Sequence, residues 1–205
     1  MDSAWLEWAR KLQAIAQNGL TFSQNPFDIE RYESIRRIAA EMMATLADVP
    51  VERVLDLFAQ DVGYATPKVD VRGAVFQGDT LLLVRERSDG LWTLPGGWAD
   101  IGQTPAEAVV REIQEESGYH TRAVKLLAIY DRNKHPHPPM PHHAFKIFFR
   151  CELLGGEATT SIETDGVGFF AEDEIPALST GRTTSGQIAR CFEHARHPDW
   201  LADFD

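Results

Sequence analysis

Residues 96–118 place a strongly acidic, helix-forming segment directly after a pair of glycines. Pro105 suits the first turn of a helix, and the apolar residues that follow it recur at helical spacing. At about 100° of rotation per residue, Glu112 and Glu116 share one helix face, and Glu115 lies about 60° from Glu112 around the axis. The sequence therefore predicts a helix with three carboxylates on one strip.

Carboxylates crowded within one helical turn repel each other unless a cation neutralises them. Magnesium suits such a strip, because it takes one or two carboxylates, keeps several waters and accepts phosphate oxygens in its remaining positions. Gly96 and Gly97 permit a backbone group to approach the same cation closely. The alternative is a solvated acidic helix face, which is the common fate of charge runs.

The spacing of this segment resembles the Nudix hydrolase box, which reads Gly, five residues, Glu, seven residues, then Arg-Glu-aliphatic-any-Glu-Glu-any-Gly-aliphatic. Seven residues are in register with it: Gly97, Arg111, Glu112, Ile113, Glu115, Glu116 and Gly118. Gln103 stands where the family has its first Glu, and Tyr119 where it has an aliphatic residue. A glutamine can brace the loop or Arg111, but it cannot act as a charged ligand or as a base.

Three further segments, 68–74, 131–139 and 163–170, resemble the Nudix subgroup that contains CDP-choline and ADP-ribose pyrophosphatases with a helical N-terminal extension. The resemblance implies hydrolysis of nucleoside diphosphates linked to a moiety X. The products would be a nucleoside monophosphate and phosphorylated X. Together with the N-terminal helices, the resemblance covers nearly the whole chain.

The resemblance also implies a set of metal ligands. Glu112, Glu116 and the Gly96 carbonyl are expected to bind Mg²⁺, for which Mn²⁺ can substitute. Glu115 is expected to act on a second ion or through water. A general base must reach the attacking water, and the sequence leaves both Glu115 and Glu163 as candidates.

The predicted supporting and substrate-binding residues are basic. Arg111 lies one turn from Glu115, where a guanidinium can hold carboxylates in register. Arg72 and Arg85, on successive predicted strands, can bind substrate phosphate, orient acids or form rim ion pairs. Lys134 and His135 lie in a Pro- and His-rich segment, which is open to three interpretations: a zinc site, a loop that contacts phosphate, or plain solvent-exposed loop. Aromatic residues that can stack on a base, or pack in the core, are Trp92, Trp98 and Phe169.

The order of patterns along the chain predicts an α/β (α+β) fold, a Nudix-type α/β/α sandwich with a mixed sheet after a small all-helical domain. Domain boundaries are expected at 1–62 for the helical domain and 63–205 for the catalytic domain. The helices expected from apolar spacing are 3–18, 28–46, 51–60 and a last one at 185–196. Strands are expected at 69–76, 80–86, 91–94, 123–131, 144–153 and 167–170.

Bulk properties exclude several classes of function. The net charge of −11 opposes broad binding to nucleic acid or to anionic membrane, so long nucleic acid is not an expected partner. Cys151 and Cys191 are widely separated, which favours buried thiols in a reducing cytoplasm over a disulfide. The sequence shows no signal peptide and no run of about 20 apolar residues, so we expect no membrane association.

The sequence therefore predicts a cytoplasmic, Mg²⁺-dependent Nudix pyrophosphatase that acts on a small nucleoside diphosphate-X substrate. Two alternatives stay open. One is a Nudix hydrolase of another nucleotide, such as a nucleoside triphosphate, a dinucleotide polyphosphate or an RNA end. The other is a catalytically weak nucleotide-binding sensor, suggested by Gln103. The apolar faces of the N-terminal helices predict a homodimer, with Trp5 and Trp8 in a core or an interface.

Overall fold

The computed structural model describes residues 2–205, with side chains from residue 4 onward. It divides into two units, residues 2–67 together with Pro139–His143, and Lys68–Pro138 together with Ala144–Asp205. The predicted domain boundary at residues 62 and 63 lies in the segment just before this division. No helix among the described residues combines the length and apolarity needed to cross a membrane.

The first unit contains three helices, α1 (Asp2–Phe22), α2 (Pro26–Ala47) and α3 (Val51–Ala59). Asn25 caps α2 by accepting a hydrogen bond from the Phe27 amide, and Pro26 occupies the first turn. The apolar faces meet in one small core, made by Ala9, Ala39, Ala40, Met43, Ala44, Val54 and Phe58. Trp5 and Trp8 are half exposed and contact each other edge to face, so of the two expected places, a core or an interface, this core does not contain them.

Residues 139–143 pack with these helices although they come from the middle of the chain. The guanidinium of Arg10, on α1, donates hydrogen bonds to the carbonyls of Met140 and Pro141. Pro139, Met140 and Pro141 also line an apolar cavity of about 640 Å³ together with side chains of α1, α2 and α3. The helical unit is therefore completed by a distant segment.

The second unit is built on a mixed seven-stranded sheet in the order β3-β2-β1-β5-β4-β7, with β6 paired to β2. The strands are β1 (Lys68–Gln77), β2 (Thr80–Glu86), β3 (Trp92–Thr93), β4 (Tyr119–Asp131), β5 (Ala144–Gly156), β6 (Thr164–Phe170) and β7 (Asp203–Phe204). The central pair, β1 and β5, is parallel, and β4 pairs with β5 in antiparallel register. The starts of β1 and β5 therefore lie side by side.

One helix covers each face of this sheet, α4 (Pro105–Ser117) on one side and α5 (Ser185–Arg196) on the other. The α4 core contains Val71, Val75, Leu82, Ala108, Val109, Ile113 and Cys151. The α5 core contains Ala74, Leu81, Leu83, Leu94, Phe148, Ile188 and Phe192. Alternate residues of β1 enter opposite cores, as the two-residue period of a strand requires. The predicted α/β/α sandwich after a helical unit is confirmed.

Both α4 and α5 span the predicted residues, whereas three strands are longer than predicted. β4 begins at Tyr119 rather than 123, β5 extends to Gly156, and β6 begins at Thr164. β7 was not predicted, because its two residues are held in the sheet by pairing with β4, which is distant in sequence. Cys151 and Cys191 are buried, free thiols.

Candidate active site

The position of α4 is fixed at both of its ends. Thr104 and Glu107 form a capping box, in which each side chain accepts a hydrogen bond from the other residue's amide. Gly118 ends the helix with a φ of 77°, and a Cβ there would lie 2.4 Å from the Glu157 carbonyl oxygen. Val109 and Ile113 are fully buried against the sheet. The helix therefore presents its acidic residues in one defined rotation.

The structure brings together two of the three predicted carboxylates. Glu116 is 4 % exposed, and its Oε2 accepts a hydrogen bond of 2.8 Å from the Gly96 amide. Glu112 lies one turn earlier on the same face, with its side chain 13 % exposed. Glu115 is directed toward Arg111, and its side chain is 57 % exposed. Within residues 2–205, no three His, Cys, Asp or Glu side chains form a group that could hold a metal alone.

Burial raises the pKa of Glu116 to about 8, although the nearby Arg72 guanidinium and the Gly96 amide act in the opposite direction. Burial also raises the pKa of Glu112, against the effect of Arg111. Because burial disfavours the charged form of both carboxylates, a cation bound between them would stabilise that charged form. The pair thus fits a divalent ion that takes two carboxylates and fills its other positions with backbone, water or phosphate oxygens.

The loop of residues 94–97, here called the Gly96 loop, lies against β1. Its carbonyls accept backbone hydrogen bonds at two points, from Gly73 to Pro95 (2.9 Å) and from Val71 to Gly97 (2.8 Å). Gly96 has a φ of 140°, and a Cβ there would lie 2.0 Å from the Val71 carbonyl oxygen. Gly96 is therefore required by the close approach of the loop backbone to β1.

A Cβ on Gly97 would lie 3.1 Å from Glu112 Oε2. The loop and the acidic helix face are thus in near contact at both glycines, Gly96 with Glu116 and Gly97 with Glu112. The sequence predicted that this loop and the acidic helix meet at one cation.

Arg111 connects four groups beside this pair. Its guanidinium donates to Glu115 Oε2 (2.5 Å), Glu112 Oε1 (2.8 Å), Asp100 Oδ2 (3.1 Å) and Gln103 Oε1 (3.3 Å). Gln103 thus braces Arg111 through its amide oxygen, a neutral acceptor where the family has a carboxylate.

The two arginines predicted to bind substrate have different surroundings. Arg72 is 3 % exposed and its guanidinium is held by Asp70 and by the Leu94 carbonyl. Arg85 is partly exposed, donates to Asp165 Oδ1 at 2.6 Å and lies over the ring of Trp92. Of the two, only Arg85 has surface available to a substrate.

Glu163 is exposed and lies in the bend immediately before β6. The next residue, Thr164, donates its hydroxyl to the Glu116 carbonyl at 2.7 Å, so the chain holds this turn against the end of α4. Glu163 also contributes to the raised pKa of Glu86, after the larger effect of burial. The two candidate bases, Glu115 and Glu163, are therefore both solvent-accessible.

Residues 134–137 lie beside α5 and the C-terminal residues. Lys134 is exposed, and His135 contacts Asp205 Oδ1 at 3.1 Å and packs on the ring of Tyr130. His137 contacts the Thr180 carbonyl and Gln187, and burial lowers its pKa to about 4. The histidines make separate contacts rather than one cluster.

The candidate aromatic residues also separate. Trp92 packs on Phe170, and Phe169 packs on Tyr119, whereas Trp98 is 45 % exposed next to Gly97. Trp98 is therefore the one of the three predicted rings that both adjoins the Gly96 loop and is open to a base.

Sequence reasoning missed several buried charges near the site. Asp70 pairs with both Arg72 and Lys146. Glu86 is 5 % exposed and pairs with Arg182. A signal for the first pair exists in the sequence, since Asp70 and Lys146 each stand between two apolar residues of a predicted strand. Such charges are seldom buried without a partner.

Two buried carboxylates facing a Gly-Gly loop, on an α/β/α sandwich, form a class of site suited to a cation and phosphate oxygens. A family model described as a NUDIX domain matches residues 66–190, and one described as a UDP-X-like, N-terminal oligomerisation domain matches residues 3–58. The chain belongs to the Nudix hydrolase family.

Relatives cover the whole chain. A Bacillus subtilis protein provisionally named as the ADP-ribose pyrophosphatase YjhB is 49 % identical over 100 % of this chain and 99 % of its own. A crystal structure titled UDP-X diphosphatase is 33 % identical, covers 100 % of this chain and 99 % of that chain, and has a TM-score of 0.64. A Streptococcus suis structure titled ADP-ribose pyrophosphatase is 44 % identical, covers 68 % of this chain and 100 % of that chain, and has a TM-score of 0.63.

Proposed function

We propose that this protein hydrolyses the pyrophosphate bond of a nucleoside diphosphate linked to a moiety X, with Mg²⁺ as the activating ion. Substrates of the ADP-ribose type are favoured by two relatives that carry this activity in their names. The structure titled UDP-X diphosphatase supports the wider class of nucleoside diphosphate-X compounds. CDP-choline remains a candidate through the resemblance of the three segments outside the box.

The observation that carries this proposal is the contact between the Gly96 loop and the acidic face of α4. Glu116 and Glu112 supply two carboxylates, and Gly96 supplies backbone within the same enclosure. Nudix hydrolases generally use divalent metals. Magnesium is the specific choice because this donor set leaves several positions for water and for substrate phosphate.

When bound, a divalent ion neutralises the charge of the diphosphate and lowers the pKa of a water molecule. A water oxygen forms a new bond to phosphorus, and the bridging P–O bond breaks, so nucleoside monophosphate and phosphorylated X leave. The proton of the water goes to Glu115 or Glu163, both of which are accessible. Arg111 holds Glu112 and Glu115 in their relative positions.

Substrate contacts are assigned to exposed groups around this site. Arg85, with part of its guanidinium exposed, can bind a phosphate oxygen, and Trp98 can stack on a base. Lys134 and His135 remain proposed contacts for the leaving moiety. Arg72 is too deeply buried for direct contact, so its proposed role is to orient acids.

Replacement of Glu116 by Gln tests the metal role. The amide keeps the size of the side chain but removes a charged ligand, so turnover is expected to fall by about 100-fold or more while the protein stays folded. Glu152→Gln is the matched control, because Glu152 is exposed and pairs with Arg122 on the sheet. Near-normal turnover of Glu116→Gln at saturating Mg²⁺ would contradict the proposed metal-dependent hydrolysis.

A substrate panel separates the proposed class from the alternatives. ADP-ribose, CDP-choline, a UDP-sugar, a nucleoside triphosphate, a dinucleotide polyphosphate and a capped RNA are incubated with Mg²⁺ or Mn²⁺, and products are quantified. Nucleoside monophosphate from the first three supports the proposal. Tight binding without product would instead favour a sensor, and Gln103→Glu should then raise activity.

The N-terminal helices are proposed to form a homodimer. The match to an oligomerisation domain over residues 3–58 indicates an oligomer, and the half-exposed Trp5 and Trp8 supply apolar surface for it. A cytoplasmic location also remains a proposal, with which the free, buried thiols of Cys151 and Cys191 agree.

A further inference from the structure

Three charged residues, Asp70, Arg72 and Lys146, form a buried charge trio where β1 and β5 begin side by side. They are 7 %, 3 % and 1 % exposed, respectively. Arg72 binds Asp70 with two parallel hydrogen bonds, Nε to Oδ1 (2.9 Å) and Nη2 to Oδ2 (2.8 Å). Lys146, opposite Asp70 in the parallel register, donates Nζ to Oδ1 at 2.6 Å.

The trio lies on the face of the sheet that otherwise carries the apolar α5 core, with Ala74 and Phe148 next along the same strands. Moving charges out of water is costly, and well-packed apolar residues often replace a buried ion pair without loss of stability. Burial alone would raise the pKa of Asp70, but Arg72 and Lys146 together lower it. Packing alone therefore does not explain why these three buried residues are charged. A further hydrogen bond of Arg72 suggests what the charges do.

That contact is to the Gly96 loop. Arg72 donates its third nitrogen, Nη1, to the Leu94 carbonyl at 3.1 Å. Two residues further along the loop, the Gly96 amide donates to Glu116 at 2.8 Å. An unbroken series of contacts thus runs from Lys146 through Asp70 and Arg72 to the loop and then to the acidic face of α4.

We infer that the buried charge trio positions the Gly96 loop against Glu116, so that the trio sets the affinity of the site for a divalent cation. This inference rests on the proposed metal-dependent function. Lys146 fixes the Asp70 carboxylate from the neighbouring strand, and Asp70 fixes the planar guanidinium of Arg72. Because that guanidinium has its donors in a rigid fork, fixing two of them aims the third at Leu94.

Arg72 also acts on Glu116 through its charge. Its positive charge is near enough to attract the Glu116 carboxylate. Geometry and charge are separable by substitution, because Arg72→Lys keeps the positive charge but loses the fork. If the geometry of the fork is the main contribution, Arg72→Lys should weaken cation binding as much as Asp70→Asn does.

The test uses full-length protein and the affinity for Mn²⁺, measured by the electron paramagnetic resonance signal of free Mn²⁺. Asp70→Asn keeps the side-chain size but loses the negative charge, and its amide nitrogen cannot accept the hydrogen bond that Oδ2 accepts from Arg72 Nη2. This variant is expected to weaken Mn²⁺ binding by about 10- to 100-fold, the usual effect of losing a residue that supports a metal ligand. Arg72→Lys is expected to weaken Mn²⁺ binding by a similar factor. Arg122→Met is the control, because it removes an exposed cation from the same sheet and should leave the affinity unchanged.

Steady-state kinetics provide the second measurement. With loop geometry impaired, the Mg²⁺ concentration for half-maximal rate should rise and kcat should fall, while KM for substrate at saturating Mg²⁺ stays near the wild-type value. Thermal unfolding identifies any variant that is not folded at the assay temperature. If Asp70→Asn is not folded, Arg72→Lys decides by the same Mn²⁺ measurement.

The inference about the trio and the proposed function are overturned by different results. Wild-type affinity for Mn²⁺ in a folded Asp70→Asn or Arg72→Lys protein overturns the inference about the trio and leaves the proposed function intact. A wild-type protein that binds no Mn²⁺ and hydrolyses no compound of the panel overturns the proposed function instead.

Discussion

At the scale of single residues, the function depends on where charge is buried. The box spacing predicted the rotation of Glu112 and Glu116, because helix geometry fixes the angle between residues. It also predicted that Arg111 could hold Glu115, but not that the Glu115 side chain would be exposed, since side-chain direction depends on rotamers that spacing does not encode. Asp70 and Lys146 were missed for a different reason, because their contact depends on the register between two strands that are distant in sequence.

The raised pKa of Glu116 makes the metal-free protein sensitive to pH. The folded state binds this proton more tightly than the unfolded chain, since burial raises the pKa from 4.5 to about 8. Stability should therefore fall as pH rises through that interval and level off above it. Glu116→Gln removes this penalty, so it should unfold at a higher temperature than wild type in EDTA at about pH 8.5, and the difference should shrink near about pH 5.

Calorimetry at the two pH values checks this expectation, with Glu152→Gln as the exposed-carboxylate control. Added Mg²⁺ should raise the unfolding temperature of wild type more than that of Glu116→Gln. A Glu116→Gln protein that is less stable than wild type in EDTA at both pH values would contradict the burial argument.

Gly96→Ala should damage both stability and metal binding. Its Cβ would lie 2.0 Å from the Val71 carbonyl oxygen, and a φ of 140° disfavours any L side chain. The strain alone is expected to cost about 1–3 kcal/mol in the free energy of unfolding, measured with urea. Gly186→Ala, in the first turn of α5 with open space around it, is the control and should be neutral or slightly stabilising. Equal stabilities for the two variants would contradict the close approach of the loop.

At the scale of elements, the sequence predicted helices better than strands. α4 and α5 both begin after a threonine with Glu or Gln three residues later, and this capping signal is local. The start of β4, Tyr119 to Arg122, follows the helix directly and shows no alternating pattern. Its pairing with the end of β5 holds it in the sheet. Such pairing is a property of two segments and is absent from either one alone.

The two capping boxes should differ in their contribution to stability. Thr104 lies in an exposed box and Thr184 in a buried one. Thr104→Ala is expected to cost about 1 kcal/mol in the free energy of unfolding, the usual value of a lost cap. Thr184→Ala should cost more, about 2 kcal/mol, because its orphaned amides lie away from water. Urea titration of both variants measures the order, and the reverse order would contradict it.

At the scale of the whole molecule, the match of residues 3–58 to an oligomerisation domain indicates an oligomer. The helices themselves were predicted from periodicity, but the packing of residues 139–143 with them was not, because a contact across so much sequence leaves no local pattern. The predicted α/β/α order held because alternating strand and helix patterns allow few architectures.

Trp8→Ala should weaken the proposed homodimer. Tryptophan is enriched among residues that dominate interfaces, and its truncation there commonly costs about 2 kcal/mol or more. Light scattering over a concentration series measures the dissociation constant, which is expected to rise by about 30-fold. Trp200→Ala removes a partly exposed tryptophan from the other unit and serves as the control. A wild-type protein that is monomeric at micromolar concentration would exclude the dimer.

The segment Pro139–His143 has a consequence for modularity. A gene fragment encoding only residues 1–67 would lack the carbonyls that Arg10 binds and one wall of the 640 Å³ cavity. The helical unit is thus formed by two separate segments of the chain, so it cannot be transferred to another enzyme at a single junction. Recombination that exchanges this unit between homologues should succeed only when the mid-chain pentapeptide is exchanged with it.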